Sequence, residues 1–240
     1  MKARFLWRAF KARYRDQAAE MSTLQESLGP GDIVCDIGAN KGSYLFWLSR
    51  WVPAGQVFAF EPQKELADYL RRACLALKLN NVTVDARAVS NVSGKVNLFI
   101  PGGSDSPGAS LSQRASQAEL CRSVEVETVA LDEYFAPGQK IGALKIDVEG
   151  AESLVFQGAQ RILREQAPLL VFECENRHLE KGSVRDVFQY LAQYGYSGSF
   201  IQGNRLRPLS EFDPAVHQKQ TGERFWDARD YCNNFVFKRV

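Results

Sequence analysis

The sequence predicts an α/β fold, a doubly wound and mostly parallel sheet with helices on both faces and an antiparallel strand at its end. Three observations carry this. Short apolar runs alternate with helical patterns from Ile33 onward, a glycine-containing turn from Gly38 to Gly42 joins the first run to the first helix, and the last run, NNFVFKRV, has no helix after it.

Residues 1–28 hold neither proline nor glycine. Phe5, Leu6, Ala9, Phe10 and Arg13 recur there at helical spacing, which predicts one or two amphipathic helices as an N-terminal extension. Gly29-Pro30-Gly31 ends the extension, and residues 29–240 form the main domain. Within it the strand IVCDIG leads to a helix from Tyr44 to Trp51, and QVFAFEP leads to a helix from Lys64 to Leu79. Further strands are expected at VTVDARAV, KVNLFI, SVEVETV, GALKIDV and PLLVFECE, with helices from Glu152 to Glu165 and Ser183 to Tyr194. The stretch PGGSDSPGASLSQRASQ, residues 101–117, is rich in Gly, Ser and Pro and reads as a loop, either a solvated connector or a substrate-facing element.

With 240 residues, 45% of them hydrophobic and 24% charged, the chain has the composition of one ordinary globular domain. Thirty basic residues against 28 acidic ones give a net charge of +2, far from the concentrated positive charge of a nucleic-acid binder, so no nucleic-acid partner is expected. The basic N-terminal helix, with Lys2, Arg4, Arg8, Lys11, Arg13 and Arg15, reads as a solvated face or as a weak contact for an anionic membrane. No apolar run approaches the roughly 20 residues that cross a bilayer, and no secretory signal is legible. Five scattered cysteines without a C-x-x-C pair suit a reducing compartment, so a cytoplasmic location is expected.

The most informative segment is Asp36-Ile37-Gly38-Ala39-Asn40-Lys41-Gly42. In sheets of this kind the turn after the first strand lies at the carboxyl edge, where ligands bind at the topological switch point. The glycine spacing departs from G-x-G-x-x-G, since Asn40 takes the second glycine's place. An acid directly before the turn would repel a pyrophosphate but can accept hydrogen bonds from an ammonium group. A second acid, Glu61, ends the next strand, where such folds place a carboxylate on ribose hydroxyls. Asp36, the turn and Glu61 together fit an adenosine ligand bearing an amino acid, which is S-adenosylmethionine.

These residues, with AFEP, NNVTV, ARAVSNVSG, ETVALDEYF and above all LKIDVEGAE followed by FQGA, make residues 31–175 resemble the FkbM-type methyltransferases. The resemblance implies a Rossmann-like class I methyltransferase fold and O-methylation of a small-molecule or glycan acceptor. It also implies a cofactor site at Asp36, Gly38, Asn40, Gly42, Glu61, Pro62 and the Ala88 to Ser90 segment. Members often carry a histidine two residues after the glutamate of the fifth strand. This chain has Glu175 at that position, with His178 displaced.

Methyl transfer from a sulfonium needs alignment above all, yet a hydroxyl acceptor reacts faster when a base draws off its proton. Asp147 and Glu149 end one strand, and Glu173 and Glu175 end the next. The expected catalytic set is Asp147, Glu173, Glu175 and His178, with Glu149 at the same edge and also able to favour a following helix N-terminus. A divalent cation held by Asp147, Glu175 and Asn176 is a weaker reading, because no ligand spacing here is diagnostic. Two other classes compete: a nicotinamide-dependent oxidoreductase, disfavoured by Asn40 and by the lack of a catalytic Tyr-Lys or His-Asp pair, and a non-catalytic cofactor-binding scaffold.

Overall fold

A computed structural model describes residues 1–102, 106–117, 120–228 and 230–240. The extension folds as α1 (Lys2–Lys11), a π-helical turn (Ala12–Asp16) and α2 (Ala18–Ser27). The domain then begins with β1 (Ile33–Ile37), α3 (Leu45–Trp51), β2 (Gln56–Phe60), α4 (Lys64–Leu77) and β3 (Val82–Asp85). A smaller sheet follows, made of β4 (Ala88–Val89), β5 (Gly94–Ile100) and β6 (Arg122–Val129). After α5 (Leu131–Tyr134) the chain returns to the main sheet through β7 (Ile141–Ile146), α6 (Glu152–Gln157), α7 (Gln160–Glu165) and β8 (Leu169–Glu173). It ends with α8 (Val184–Ala192), β9 (Tyr196–Gln202), β10 (Arg205–Pro208), α9 (Pro214–His217) and β11 (Asn234–Arg239).

The main sheet runs in the order β10-β9-β11-β8-β7-β1-β2-β3. From β8 to β3 the strands are parallel, whereas β11 pairs antiparallel with both β8 and β9. The order reverses between β1 and β7, so the carboxyl ends of those two strands frame the switch point. Alternate residues of each strand feed two separate cores. Val34, Val57, Ala59, Ala143 and Val236 pack with Phe5, Ala9, Met21 and Leu45 of the helices α1 to α3. Cys35, Ile37, Leu144, Phe172 and Phe235 pack on the other face with residues of α6, α7 and α8.

Three expectations change. The run VTVDARAV is two strands in two sheets: Arg87 folds back so that its guanidinium and its backbone N–H both bond the Asp85 carboxylate, ending β3. KVNLFI and SVEVETV leave the main sheet as an antiparallel hairpin. The single helix expected from Glu152 to Glu165 is two, because the Asp132 carboxylate accepts hydrogen bonds from the Arg161 and Ile162 N–H groups, at 2.7 and 3.0 Å, and starts α7 anew. The final strand is as expected in span and direction but lies inside the sheet, since Phe235 and Phe237 are buried on one face and Val236 on the other.

The extension belongs to the packed structure. Phe5 has no exposed surface and its ring meets the backbone of Gly42, while the Trp47 indole N–H donates to the Ala9 carbonyl at 2.9 Å. Phe5→Ala is expected to lower stability by about 3–5 kcal/mol, measured by urea denaturation. A change under about 1 kcal/mol would mean that α1 is only loosely attached.

Candidate active site

A cavity of about 250 Å³ opens at the carboxyl edge of β1, β2, β7 and β8. Of the cofactor residues expected from sequence, Gly38, Asn40, Glu61, Pro62 and Ala88 line it. Of the expected catalytic residues, Asp147 and Glu173 line it, and Glu149 joins them. Ile37, Phe60, Val89, Leu98 and Val148 supply apolar wall. Residues 106–112 close one side: the Gln63 side chain and Ser106 backbone exchange two hydrogen bonds of 2.9 Å, and Ser110 Oγ donates to the Glu149 carbonyl at 2.6 Å. The loop is therefore a wall of the cavity over these residues, while residues 103–105 lie outside the described set.

Backbone geometry explains the motif residues. Gly38 has φ +78°, and a Cβ there would lie 1.8 Å from the Asp147 carbonyl oxygen, so only glycine lets the β1 turn meet the end of β7. Asn40, at φ 46°, occupies the left-handed region that asparagine tolerates. Its N–H donates to Glu61 Oε2 at 2.7 Å, and the Gln63 N–H donates to Oε1 at 2.9 Å. Burial raises the Glu61 carboxyl to about 7 against these two bonds. At the other wall Glu149 sits at φ 53° and Gly150 at φ 102°, with a Gly150 Cβ position 2.2 Å from the His178 carbonyl oxygen. That turn holds the segment after β8 against the end of β7.

Asp147, Glu149 and Glu173 each offer an oxygen, all within 4.8 Å of one another. Each also has a partner in the protein: Lys145 Nζ lies 3.4 Å from Asp147, His178 Nδ1 lies 2.6 Å from Glu149, and the Asn233 amide donates to Glu173 at 2.8 Å. Burial raises the Glu173 carboxyl well above its ordinary value, and Asp147, Glu149 and Glu175 push it further. Burial likewise raises Glu149, partly offset by His178. Burial disfavours a charged His178, yet its hydrogen bond and charge attraction to Glu149 outweigh that and raise it. The weaker cation reading of Asp147, Glu175 and Asn176 does not find its residues together. Glu175 faces Arg177 at 2.5 Å, and Asn176 Oδ1 accepts the Val184 N–H at 2.9 Å.

Five other expected residues do not line the cavity. Asp36 is fully buried 3.5 Å from the Lys145 ammonium, and burial raises its carboxyl despite that cation, so it is no open acceptor on the cavity wall. Gly42 faces the Phe5 and Leu70 side chains. Ser90 is buried, its N–H on the Val129 carbonyl at 3.0 Å. His178 stands behind Glu149. Glu175 is held by Arg177, Tyr231 and Asn233; burial pushes its carboxyl up, but Arg177 and Tyr231 prevail and bring it to about 2. Tyr231 and Trp226 join that group, the Tyr231 hydroxyl on Glu175 and Arg177 5.8 Å from the Trp226 ring centre.

Sequence reasoning missed Lys145, Gln63, Arg177 and Asn233. A lysine inside the apolar strand IGALKID was a usable signal, because a buried ammonium requires acids beside it. The others carry no signal in spacing.

Glu152, in the same motif, lies under the turn. Its Oε1 accepts the Gly150 N–H at 2.9 Å, while Oε2 is buried without a hydrogen bond. Burial raises it to about 7. A carboxyl raised above its unfolded value weakens the folded state as pH climbs through that interval. Glu152→Gln is therefore expected to stabilise the protein by about 1–2 kcal/mol at pH 8, with a smaller gain near pH 5. Urea midpoints at both pH values test this, and an equal or negative effect at pH 8 would contradict it.

The sequence matches the model of the methyltransferase FkbM domain over residues 36–197. No curated protein matches it. Among solved structures it is similar to a methyltransferase FkbM from Methylobacillus flagellatus, with 14% identity and a TM-score of 0.56, covering 88% of this chain and 44% of that one. The chain thus spans less than half of that protein. It is also similar to a Streptococcus mutans protein described as a methyltransferase in complex with SAH (13% identity, TM-score 0.52, 94% and 98% covered). A third is a precorrin-6y C5,15-methyltransferase from Geobacter metallireducens (12% identity, TM-score 0.50, 92% and 87% covered). At these identities the likeness is one of fold.

Proposed function

Because the chain belongs to the FkbM methyltransferase family, we propose that it is an S-adenosylmethionine-dependent methyltransferase acting on a hydroxyl of a small molecule, sugar or glycan. The observation that carries this reading is the Glu61 carboxylate, only 3% exposed, set beside the side-chain-free backbone of Gly38 in a cavity whose opposite wall is Asp147, Glu149 and Glu173.

The residues fit the cofactor. Glu61 is fixed by two backbone N–H groups and keeps acceptor capacity for a pair of vicinal hydroxyls. Ala88, Val89 and Leu98 give a flat base apolar contact. When bound, the cofactor supplies an electrophilic methyl on sulfur, with a neutral thioether as leaving group. What the chain adds is position and a place for the acceptor's proton. Glu149 and Asp147 are the bases this reading assigns. His178, held 2.6 Å from Glu149, balances the charge and orients it. Glu173, pushed toward its protonated form, donates a hydrogen bond rather than accepting the proton. The fold alone also serves carbon methylation, so the hydroxyl acceptor rests on these acids.

Three outcomes are expected. Glu61→Ala weakens S-adenosylhomocysteine binding about ten- to a hundredfold by calorimetry, and an unchanged affinity removes Glu61 from the site. Asp147→Asn and Glu149→Gln lower turnover of a hydroxylated acceptor about a hundred- to ten-thousandfold with cofactor affinity nearly intact. With Glu149 as base, activity rises with pH through a value above the ordinary carboxylate range and is lost as the group protonates below it. Normal turnover in both variants would leave alignment alone as the catalytic contribution. Abolition of activity by EDTA and rescue by Mg²⁺ would turn the three acids into a metal site.

A further inference from the structure

The proposed catalysis leaves unexplained the outer face of α1. Trp7 and Phe10 on α1 and Tyr14 on the π-helical turn that follows, its ring centre 6.0 Å from that of Phe10, are 61%, 45% and 67% exposed. They continue into aromatic side chains of α3. The Phe10 ring centre lies 5.0 Å from that of Trp47 and 5.9 Å from that of Phe46, and Trp47 stacks on Trp51 at 6.3 Å. Basic groups lie over this ridge. Lys11 sits 5.4 Å from the Trp7 ring centre, Arg13 5.6 Å from Tyr14 and Arg50 3.8 Å from Phe46.

Beside the ridge, Arg4, Arg8 and Lys11 form a second row at helical spacing. Between that row and α4 is a cavity of about 220 Å³ lined by Arg4, Arg8, Lys41 and Tyr69, with Glu65 as its acid. Charge is unevenly divided along the chain. Residues 1–16 carry six basic residues and one acid, Asp16, whereas the other 224 residues carry 24 basic against 27 acidic.

Exposed Trp, Phe and Tyr leave a large apolar area in water, and in a monomeric protein such a patch marks a binding surface. One acid, Asp16, paired with Lys11 and Arg15, interrupts the basic flanks. Such an excess of one sign is not what a partner chain of mixed charge would need. A second copy meeting this face about a twofold axis would set the same cations against each other. A bilayer with anionic headgroups satisfies both features, because indole and phenol rings favour the headgroup level and lysine and arginine favour the negative surface. We propose that the α1–α3 ridge docks this protein on an anionic lipid bilayer, with Trp7, Phe10 and Tyr14 entering the headgroup region and the basic rows paired with lipid phosphates. The helix lies on the membrane and does not cross it; among the described residues no helix is long and apolar enough to do so.

The test is sedimentation of the full chain with vesicles of neutral phosphatidylcholine and with vesicles that also contain phosphatidylglycerol, at low and high salt. Partition onto the anionic vesicles is expected to be at least about tenfold stronger and to fall with salt. Trp7→Ala with Tyr14→Ala should weaken it about tenfold, and Arg4→Ser with Arg8→Ser about fivefold per charge removed. Trp7, Tyr14 and Arg4 are exposed and Arg8 is partly so, and S-adenosylhomocysteine affinity and circular dichroism serve as controls for folding. Equal partition onto both vesicle types, no partition onto either, or variants that bind like the parent would overturn the proposal. So would a solution dimer that Trp7→Ala with Tyr14→Ala dissolves, or tighter binding to duplex DNA than to the vesicles.

Discussion

Between β1 and β7, where the parallel strands give up their carboxyl ends, the Lys145 ammonium lies 3.5 Å from Asp36 and 3.4 Å from Asp147. The strand register sets Asp36 opposite Lys145, so the two side chains share one face of the sheet. Tyr44 covers the group from above, its ring centre 4.9 Å from Nζ. Burial disfavours the ammonium, but Asp147, Asp36 and Glu173 together hold it charged. Three acids at the end of a sheet would repel one another without this cation, and a buried carboxylate left unpaired costs several kcal/mol. The candidate site is thus organised around a positive charge beneath its floor.

From that point the geometry propagates outward. Gly38 lets the first turn touch the Asp147 backbone, which fixes the distance between the wall that carries Glu61 and the wall that carries the acids. Gly150 brings the His178 segment against Glu149, and a second ion-paired group, Glu175 with Arg177 and Tyr231, anchors the chain that returns toward β11. Glu175 and His178 lie close in sequence but serve different neighbours. One is spent on an internal salt bridge and the other backs an acid of the cavity.

Much of this was legible in the residues. The alternation of runs gave the parallel sheet and its antiparallel end, because apolar runs of strand length separated by helical periods have few other solutions. DIGANKG and the acid ending the next strand marked the cavity for the same reason: a turn of that kind exists to bring backbone close to something. Side-chain direction was not legible. Asp36 precedes the turn but points at Lys145, Ser90 adjoins two cavity residues but pairs with Val129, and Glu175 shares a strand direction with Glu173 but turns to Arg177. Each of these outcomes depends on a partner from a distant part of the chain, which spacing cannot reveal. That β5 and β6 pair in a sheet of their own was not legible either, because a strand's pattern does not name its neighbour.

A buried carboxylate beside a bare glycine backbone, facing a wall of acids balanced by Lys145 and His178, suits a ligand with ribose hydroxyls and no pyrophosphate. Calorimetric titration of the purified chain with S-adenosylhomocysteine and, separately, with NAD puts this most directly to the test. The account predicts one-to-one binding of S-adenosylhomocysteine and no detectable heat with NAD. Binding of NAD, or silence toward S-adenosylhomocysteine, would contradict it.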